Sequence, residues 1–397
     1  MPFKATTPTS YEQKFENLWN FLFWINGLQV NNNASWLYGE KMRSVAVIIN
    51  TTLHLVTAVH YLLAVLYGVD TYIKINSLHA YIGFLNGFLC AFVSICSLLV
   101  LKCRKKKFLL FYRKLAFSDD GNFLKCLYKT TSIYLFLLFL VPIFTVTSIT
   151  VGYNRTVASN FTSVLMFGLD DSSQLFYYAK ILTFCQFLFV LIFCKYSVDS
   201  MIVYFVHICK KIARKFRILN QKLQLALVNQ RSLRFNDFNH LRQRHQQICQ
   251  LTEEVNQLFS PLIAIWLLGL AVSLCFDLRA FKMQFAVFYN LFFGIKILGE
   301  ICLLILVFKT SAEVNSEAHY MNERILTSTI SWRVKSEHHF SEVQNYYYSL
   351  NYILFSQRLS TSSIGITASG LFLINASSFL TMSASVLTYV IVLYQTS

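Results

Sequence analysis

The chain has 397 residues, of which 55% are hydrophobic and only 14% charged, with 37 Phe, 22 Tyr and a mean hydropathy of +0.48. A soluble domain of this size has too little polar surface to cover such a mixture, which makes the chain a polytopic membrane protein. The formal net charge of +16 sits in blocks between apolar runs, so it reports topology and argues against a nucleic-acid partner.

At the N-terminus, residues 11–38 mix Tyr11, Phe15, Trp19, Phe21, Phe23, Trp24 and Trp36 with Glu and Asn. No small-residue cleavage pattern follows an adequate apolar core, so an interfacial or re-entrant helix is expected within a segment 1–44, and not a signal peptide. A hydrocarbon core of about 30 Å needs about 20 helical residues. Apolar runs of that order occur at 45–68, 79–101, 131–152, 176–198, 259–277, 284–308 and 364–394, predicting seven transmembrane helices. Helix follows because an isolated strand in lipid cannot satisfy its own backbone, and the alternating ten-residue segments of a barrel are missing.

Charge orients these spans. The connections at 102–129 and 195–257 hold nine and eleven Lys or Arg, residues 1–43 hold four and 309–358 five, whereas 68–78, 153–175 and 278–283 hold one, one and two. Twenty-nine against four places the N-terminus in the cytoplasm and the C-terminus outside. The outer loop 153–175 carries two glycosylation sequons, at Asn154 and Asn160. A G-protein-coupled receptor starts outside instead, and this chain has neither a DRY nor an NPxxY pattern, nor a cysteine well inside an outer loop.

Long helices are expected to continue out of the membrane on the cytoplasmic side. Between 199 and 258, Leu241, Ile248, Leu251, Val255 and Leu258 recur at spacings of three, four and seven, and Pro261 removes a helix hydrogen bond at the next entry into the membrane. The segment 309–363 reads as amphipathic anchor helices with Trp332, Phe340, Tyr346, Tyr347, Tyr348, Leu350 and Leu354 on apolar faces. The domain division is therefore 1–44, a six-helix bundle 45–308, an anchor 309–363 and a seventh helix 364–397. The fold class is all-α.

Catalysis has no motif to stand on. His54, His60 and His79 lie in or beside spans without a ligand set, His338-His339 lacks an HExxH context, and GxGxxG, GxxxxGK[ST] and GxSxG are all missing. No enzyme activity, metal or cofactor is expected. Transport by alternating access is disfavoured by the lack of internal doubling. Lys296 and Glu300, four apart in the sixth span, stack on one helical face as an intramembrane ion pair that either lines a cavity or locks packing.

The last span carries a line of small and polar groups. Counting back from Gln395 by helical steps gives Ile391, Thr388, Ala384, Thr381 and Ser377. Around a symmetry axis such faces make a pore with apolar narrowings; within one chain they are ordinary small-residue packing. The two alternatives stay open on these residues alone.

The same segment carries a resemblance. Gly370-Leu371-Phe372, then Thr388-Tyr389, five mostly apolar residues and Gln395 resemble the last helix of insect gustatory receptors, which are related to insect odorant receptors; Thr396 stands where the family has a final Phe. The similarity is concentrated in 365–395, while length, inside-N topology and extended cytoplasmic helices agree along nearly the whole chain. The resemblance implies a homotetrameric ligand-gated cation channel in a sensory neuron's plasma membrane. It also implies a central pore of four last helices with its outer, gate-bearing part at Gln395, Ile391 and Thr388. A non-channel receptor or small-solute transporter is the alternative. An outward-facing pocket in each subunit is implied to take a sugar or bitter tastant, drawing on Asn86, Thr147, Thr150, Tyr178, Gln186, Trp266, Gln284, Tyr289 and Asn290. Sugar-sensing members have Glu after the Thr-Tyr pair; Val390 at that place lowers the sugar reading.

Overall fold

Apolar runs too long for a strand, in a solvent that cannot bond exposed backbone groups, leave helix as the conformation in which each segment satisfies itself. The computed structural model describes residues 10–25, 40–75, 78–104, 106–108, 111, 123, 125–137, 140, 166–167, 174–230, 235–282, 287–327, 346, 350–351, 353–357 and 364–395. In chain order they form α1 (Ser10–Ile25), α2 (Glu40–Ile75), α3 (Leu78–Cys103), α4 (Gln174–Phe189), a π-helical segment (Val190–Lys195), α5 (Tyr196–Gln230), α6 (Phe235–Lys282) and α7 (Val287–Thr327). A short hairpin of β1 (Thr367–Ala368) and β2 (Phe372–Leu373) precedes α8 (Ala376–Gln395). Residues 125–137, inside and before the expected third span, are helical as well.

Helices α6 and α7 have 48 and 41 residues. At 1.5 Å per residue they run to about 70 and about 60 Å, some twice the hydrocarbon core, so the expected continuation beyond the membrane is met. Pro261 lies inside α6 without ending it.

The last span begins later than its apolar run suggests. Residues 364–375 form the hairpin, with Thr367 opposite Leu373 and Ala368 opposite Phe372. Ser369 and Gly370 hold φ of 53° and 71°, the left-handed region that a glycine enters without penalty. The Leu371 N–H donates to Ala368 O at 2.9 Å and the Ile374 N–H to Ile366 O at 2.9 Å. Asn375 then starts α8 by a reciprocal cap: the Ser378 N–H donates to Asn375 Oδ1, and the Asn375 N–H donates to Ser378 Oγ, both at 2.9 Å. Each bond satisfies a backbone donor that a helix start leaves open.

The chain divides into two units: 1–204, 261–305 and 382–397 form the first, 205–260 and 306–381 the second. In the first, α2 and α3 pack through Ala58, Tyr61, Ala64, Val65 and Ala91, with Val190 and Cys194 of the π segment added. Gly87 admits the Tyr61 ring, because a methyl there would lie 2.8 Å from Tyr61 Cδ1. Trp19 and Phe23 of α1 meet Tyr204 edge-on at 4.7 and 4.9 Å, and Phe23 also meets Phe108 at 5.2 Å, which seats α1 by aromatic contact.

The second unit has its own core of Phe205, Ile208, Ile212, Phe216, Val255, Phe259, Val314 and Ala318, all nearly inaccessible. Its rim is polar. Arg217 donates to Glu313 Oε1 and, at 2.7 Å, to Glu317 Oε1, while Asn220 donates to Glu317 O at 2.9 Å. Arg242 donates to Asn351 Oδ1 at 3.0 Å, and Phe355 meets both Phe238 and His245 edge-on. His338-His339 lies outside the described residues.

Candidate functional site

Two arrangements stand out, and the first is the face of α8. Along it Ser377, Thr381, Ala384, Thr388, Ile391 and Gln395 are all exposed. At 100° per residue these six fall within about 40° of one direction, and Phe379, Met382, Val386 and Val390 fall within about 40° of the opposite one. Those four are half-buried, as is Ser378 at the helix cap, and Phe379 meets Phe308 at 5.2 Å. The helix is therefore seated in its own chain by its apolar stripe, and the small polar line points away. The hydroxyls bond along the helix, Thr381 Oγ1 to Ser377 O at 3.0 Å and Thr388 Oγ1 to Ala384 O at 2.9 Å. Hydroxyls bonded to carbonyls of their own helix leave this face able to meet water or neighbouring helices.

The hairpin sets where α8 starts. The Thr367 N–H and Oγ1–H both donate to Asn256 Oδ1, at 2.9 and 3.0 Å, and the Ser369 N–H donates to Ser260 O at 3.0 Å. The Thr367 hydroxyl also lies 3.3 Å from Ser260 Oγ, so α6 holds the turn that leads into α8 by four hydrogen bonds.

The second arrangement is a buried charge set in the first unit. Lys296 Nζ lies 2.8 Å from Asp277 Oδ1, which also accepts from Asn86 Nδ2 at 2.9 Å. Lys195 Nζ lies 3.1 Å from Glu300 Oε1 and 3.4 Å from Asp199 Oδ1. Ser273 Oγ is 2.8 Å from Glu300 Oε1 and 3.1 Å from Asn86 Oδ1. The side chains of Asp277 and Glu300 are 1% and 2% exposed. The set joins α3, the π segment, α5, α6 and α7, and breaking one partner of a buried pair typically costs about 3–5 kcal/mol.

Lys296 and Glu300 thus take separate partners instead of one another: Lys296 pairs with Asp277 across helices, and Glu300 with Lys195. The sequence pointed to Lys296 and Glu300 as a pair and to Asn86 as a pocket residue, and missed Lys195, Asp199, Ser273 and Asp277. Lys195 falls where the expected span 176–198 and the connection 195–257 overlap, and it counts there among the charges that report topology. The available signal was the Lys195/Asp199 spacing of four on a helix continuing from that span.

The expected pocket residues are scattered in role. Asn86 belongs to the charge set, and Trp266, buried, donates from Nε1 to Ser97 Oγ at 2.9 Å. Tyr178 is exposed beside Tyr177, and Gln186 is half-buried. Thr147, Thr150 and Gln284 lie outside the described residues, as do the side chains of Tyr289 and Asn290 and the sequons Asn154 and Asn160.

The family model described as 7tm Chemosensory receptor matches residues 17–397. The fold is similar to two solved structures of the insect olfactory receptor OR5 from Machilis hrabei. The first is 14% identical and aligns with a TM-score of 0.70 over 97% of this chain and 98% of that one. The second, in complex with eugenol, is 14% identical with a TM-score of 0.68 over 98% and 99%. No curated protein matches the sequence.

Proposed function

We propose that this chain, which belongs to the 7tm chemosensory receptor family, is a subunit of a ligand-gated, non-selective cation channel serving as a gustatory receptor. The observation that carries the reading is the α8 face: five small or polar positions from Ser377 to Gln395, with Ile391 among them, exposed together opposite the stripe that seats the helix. Four copies around an axis would enclose a polar path with Ile391 as an apolar narrowing and Gln395 at its mouth. The taste assignment rests on the Thr388-Tyr389 to Gln395 pattern, and the ligand class on an outward-facing pocket in each subunit that takes a sugar or a bitter compound. Val390 favours the bitter class. Opening is a population shift, which requires that the ligand bind the open form more tightly than the closed one.

The test is current recording from cells expressing this chain alone, against a panel of sugars and alkaloids, with surface expression verified. A ligand-evoked cation current is expected, with ion selectivity or conductance altered by Thr388→Ala and Gln395→Ala. A surface-expressed protein that binds ligand without passing current, or that purifies only as monomers or dimers, would establish a receptor or transporter whose last helix merely packs.

A further inference from the structure

Among the described residues the buried charge set is short of one positive charge and, by a separate count, of one hydrogen. Lys195 and Lys296 face Asp199, Asp277 and Glu300, two cations against three carboxylates. Their side chains are 18% exposed or less, where an uncompensated charge is costly.

The hydrogen count comes from the contacts. Glu300 Oε1, Ser273 Oγ, the Asn86 amide and Asp277 Oδ1 stand in line at successive separations of 2.8, 3.1 and 2.9 Å. Three contacts need three hydrogens. The Ser273 hydroxyl supplies one, and Asn86 supplies one more, because its nitrogen faces Asp277 and its oxygen faces Ser273, with the Cys90 thiol 3.9 Å away on the oxygen side and outside the three contacts. Turning the amide over changes which end lacks a hydrogen but leaves the supply at two.

We propose that Asp277 and Glu300 share one bound proton, and that Ser273 and Asn86 are the relay across which it is shared. With the proton on Glu300 Oε1, that oxygen donates to Ser273 Oγ, Ser273 donates to Asn86 Oδ1, and Asn86 Nδ2 donates to Asp277 Oδ1. With the proton on Asp277 Oδ1, the turned Asn86 accepts it through its oxygen and donates to Ser273, which donates to Glu300. In both arrangements the set of five ionisable groups is neutral and all three contacts are made. Asp277 Oδ2 and Glu300 Oε2, buried without a hydrogen-bond partner among the described residues, cost less on a neutral carboxyl than on a carboxylate. The ionisable neighbours facing the two carboxyls are Cys90 of α3, Lys195 of the π segment, Asp199 of α5 and Lys296 of α7. A proton fits better than a metal ion, because among the described residues no three His, Cys, Asp or Glu side chains converge as ligands.

Infrared spectra of the full chain in nanodiscs near neutral pH test this. The wild type is expected to show a protonated-carboxyl band that shifts in deuterium oxide. D277N alone and E300Q alone are each expected to abolish it, since the amide brings the missing hydrogen and removes one negative charge. Carboxyl-13C labelling of the wild type, which depends on no variant folding, is expected to shift part of the band with labelled aspartate and the rest with labelled glutamate. A band lost in one variant only, or shifting entirely with one label, overturns the sharing. A wild type without the band, or a band that survives both variants, overturns the bound proton. So does a melting temperature that rises with sodium at constant ionic strength in the absence of the band, because sodium is then the missing charge.

Discussion

Asn256→Ala is expected to loosen the hairpin that starts α8. The Asn256 carbonyl oxygen accepts two hydrogens from Thr367, one from its backbone N–H at 2.9 Å and one from its hydroxyl at 3.0 Å. Both residues are half-buried, so each bond is assigned about 1 kcal/mol, near the centre of the measured range for net contributions. Losing both costs about 2 kcal/mol. At roughly 2–4 °C per kcal/mol for a protein region of 150–250 residues, the melting temperature falls by roughly 4–8 °C. Thr367→Val removes that hydroxyl bond together with the 3.3 Å contact between Thr367 Oγ1 and Ser260 Oγ, and because the Thr367 hydroxyl bond to Asn256 is lost in both singles, Asn256→Ala/Thr367→Val should lose about 1 kcal/mol less than their sum. Fluorescence-detected melting in one detergent, with size-exclusion profiles to confirm assembly, measures all three. If Asn256→Ala melts with the wild type, or if the double variant loses the plain sum of the two singles, the shared acceptor at Asn256 is not what holds the turn.

Gly87→Ala places a methyl against the buried Tyr61 ring, 2.8 Å from Cδ1. The overpacking is expected to cost about 1–3 kcal/mol in thermal melts and to be relieved when Tyr61→Leu is added. His245, in the part of α6 that belongs to the second unit, should give that unit an acid-sensitive stability. Burial holds its imidazole below the ordinary 6.5, with the Ala318 carbonyl acting in the raising direction and His319 in the lowering one. The unfolded chain then binds more protons than the folded one, so stability is complete above 6.5 and lost as pH falls from there through the depressed folded value. Melts at about pH 7.5 and about pH 5.5 should diverge in the wild type more than in His245→Gln; equal divergence would assign the acid sensitivity elsewhere.

How much of this was legible beforehand differs between elements. The expectations for α2 and α3 came from apolar runs, because hydrocarbon selects composition over a fixed span whatever the neighbours are, and the continuation of α6 beyond its run came from apolar residues at spacings of three, four and seven. The α8 face was legible for the same reason in reverse: a polar line at helical spacing is visible in one segment without knowing its partners. Where α8 begins was not legible. The run 364–375 is apolar enough to continue a helix, and what stops it is Ser369 and Gly370 in left-handed backbone, fastened to Asn256 and Ser260 more than a hundred positions away.

The same boundary separates the two halves of the charge set. The sequence by itself determined that Lys296 and Glu300 lie a turn apart in lipid, since that follows from helical period alone. Only the tertiary structure decided that Lys296 bonds Asp277 and Glu300 bonds Lys195, with Ser273 and Asn86 between the carboxyls. Local spacing tells which residues share a face. Which charges meet depends on how the helices rotate and slide against one another, and many apolar contacts along their whole length determine that.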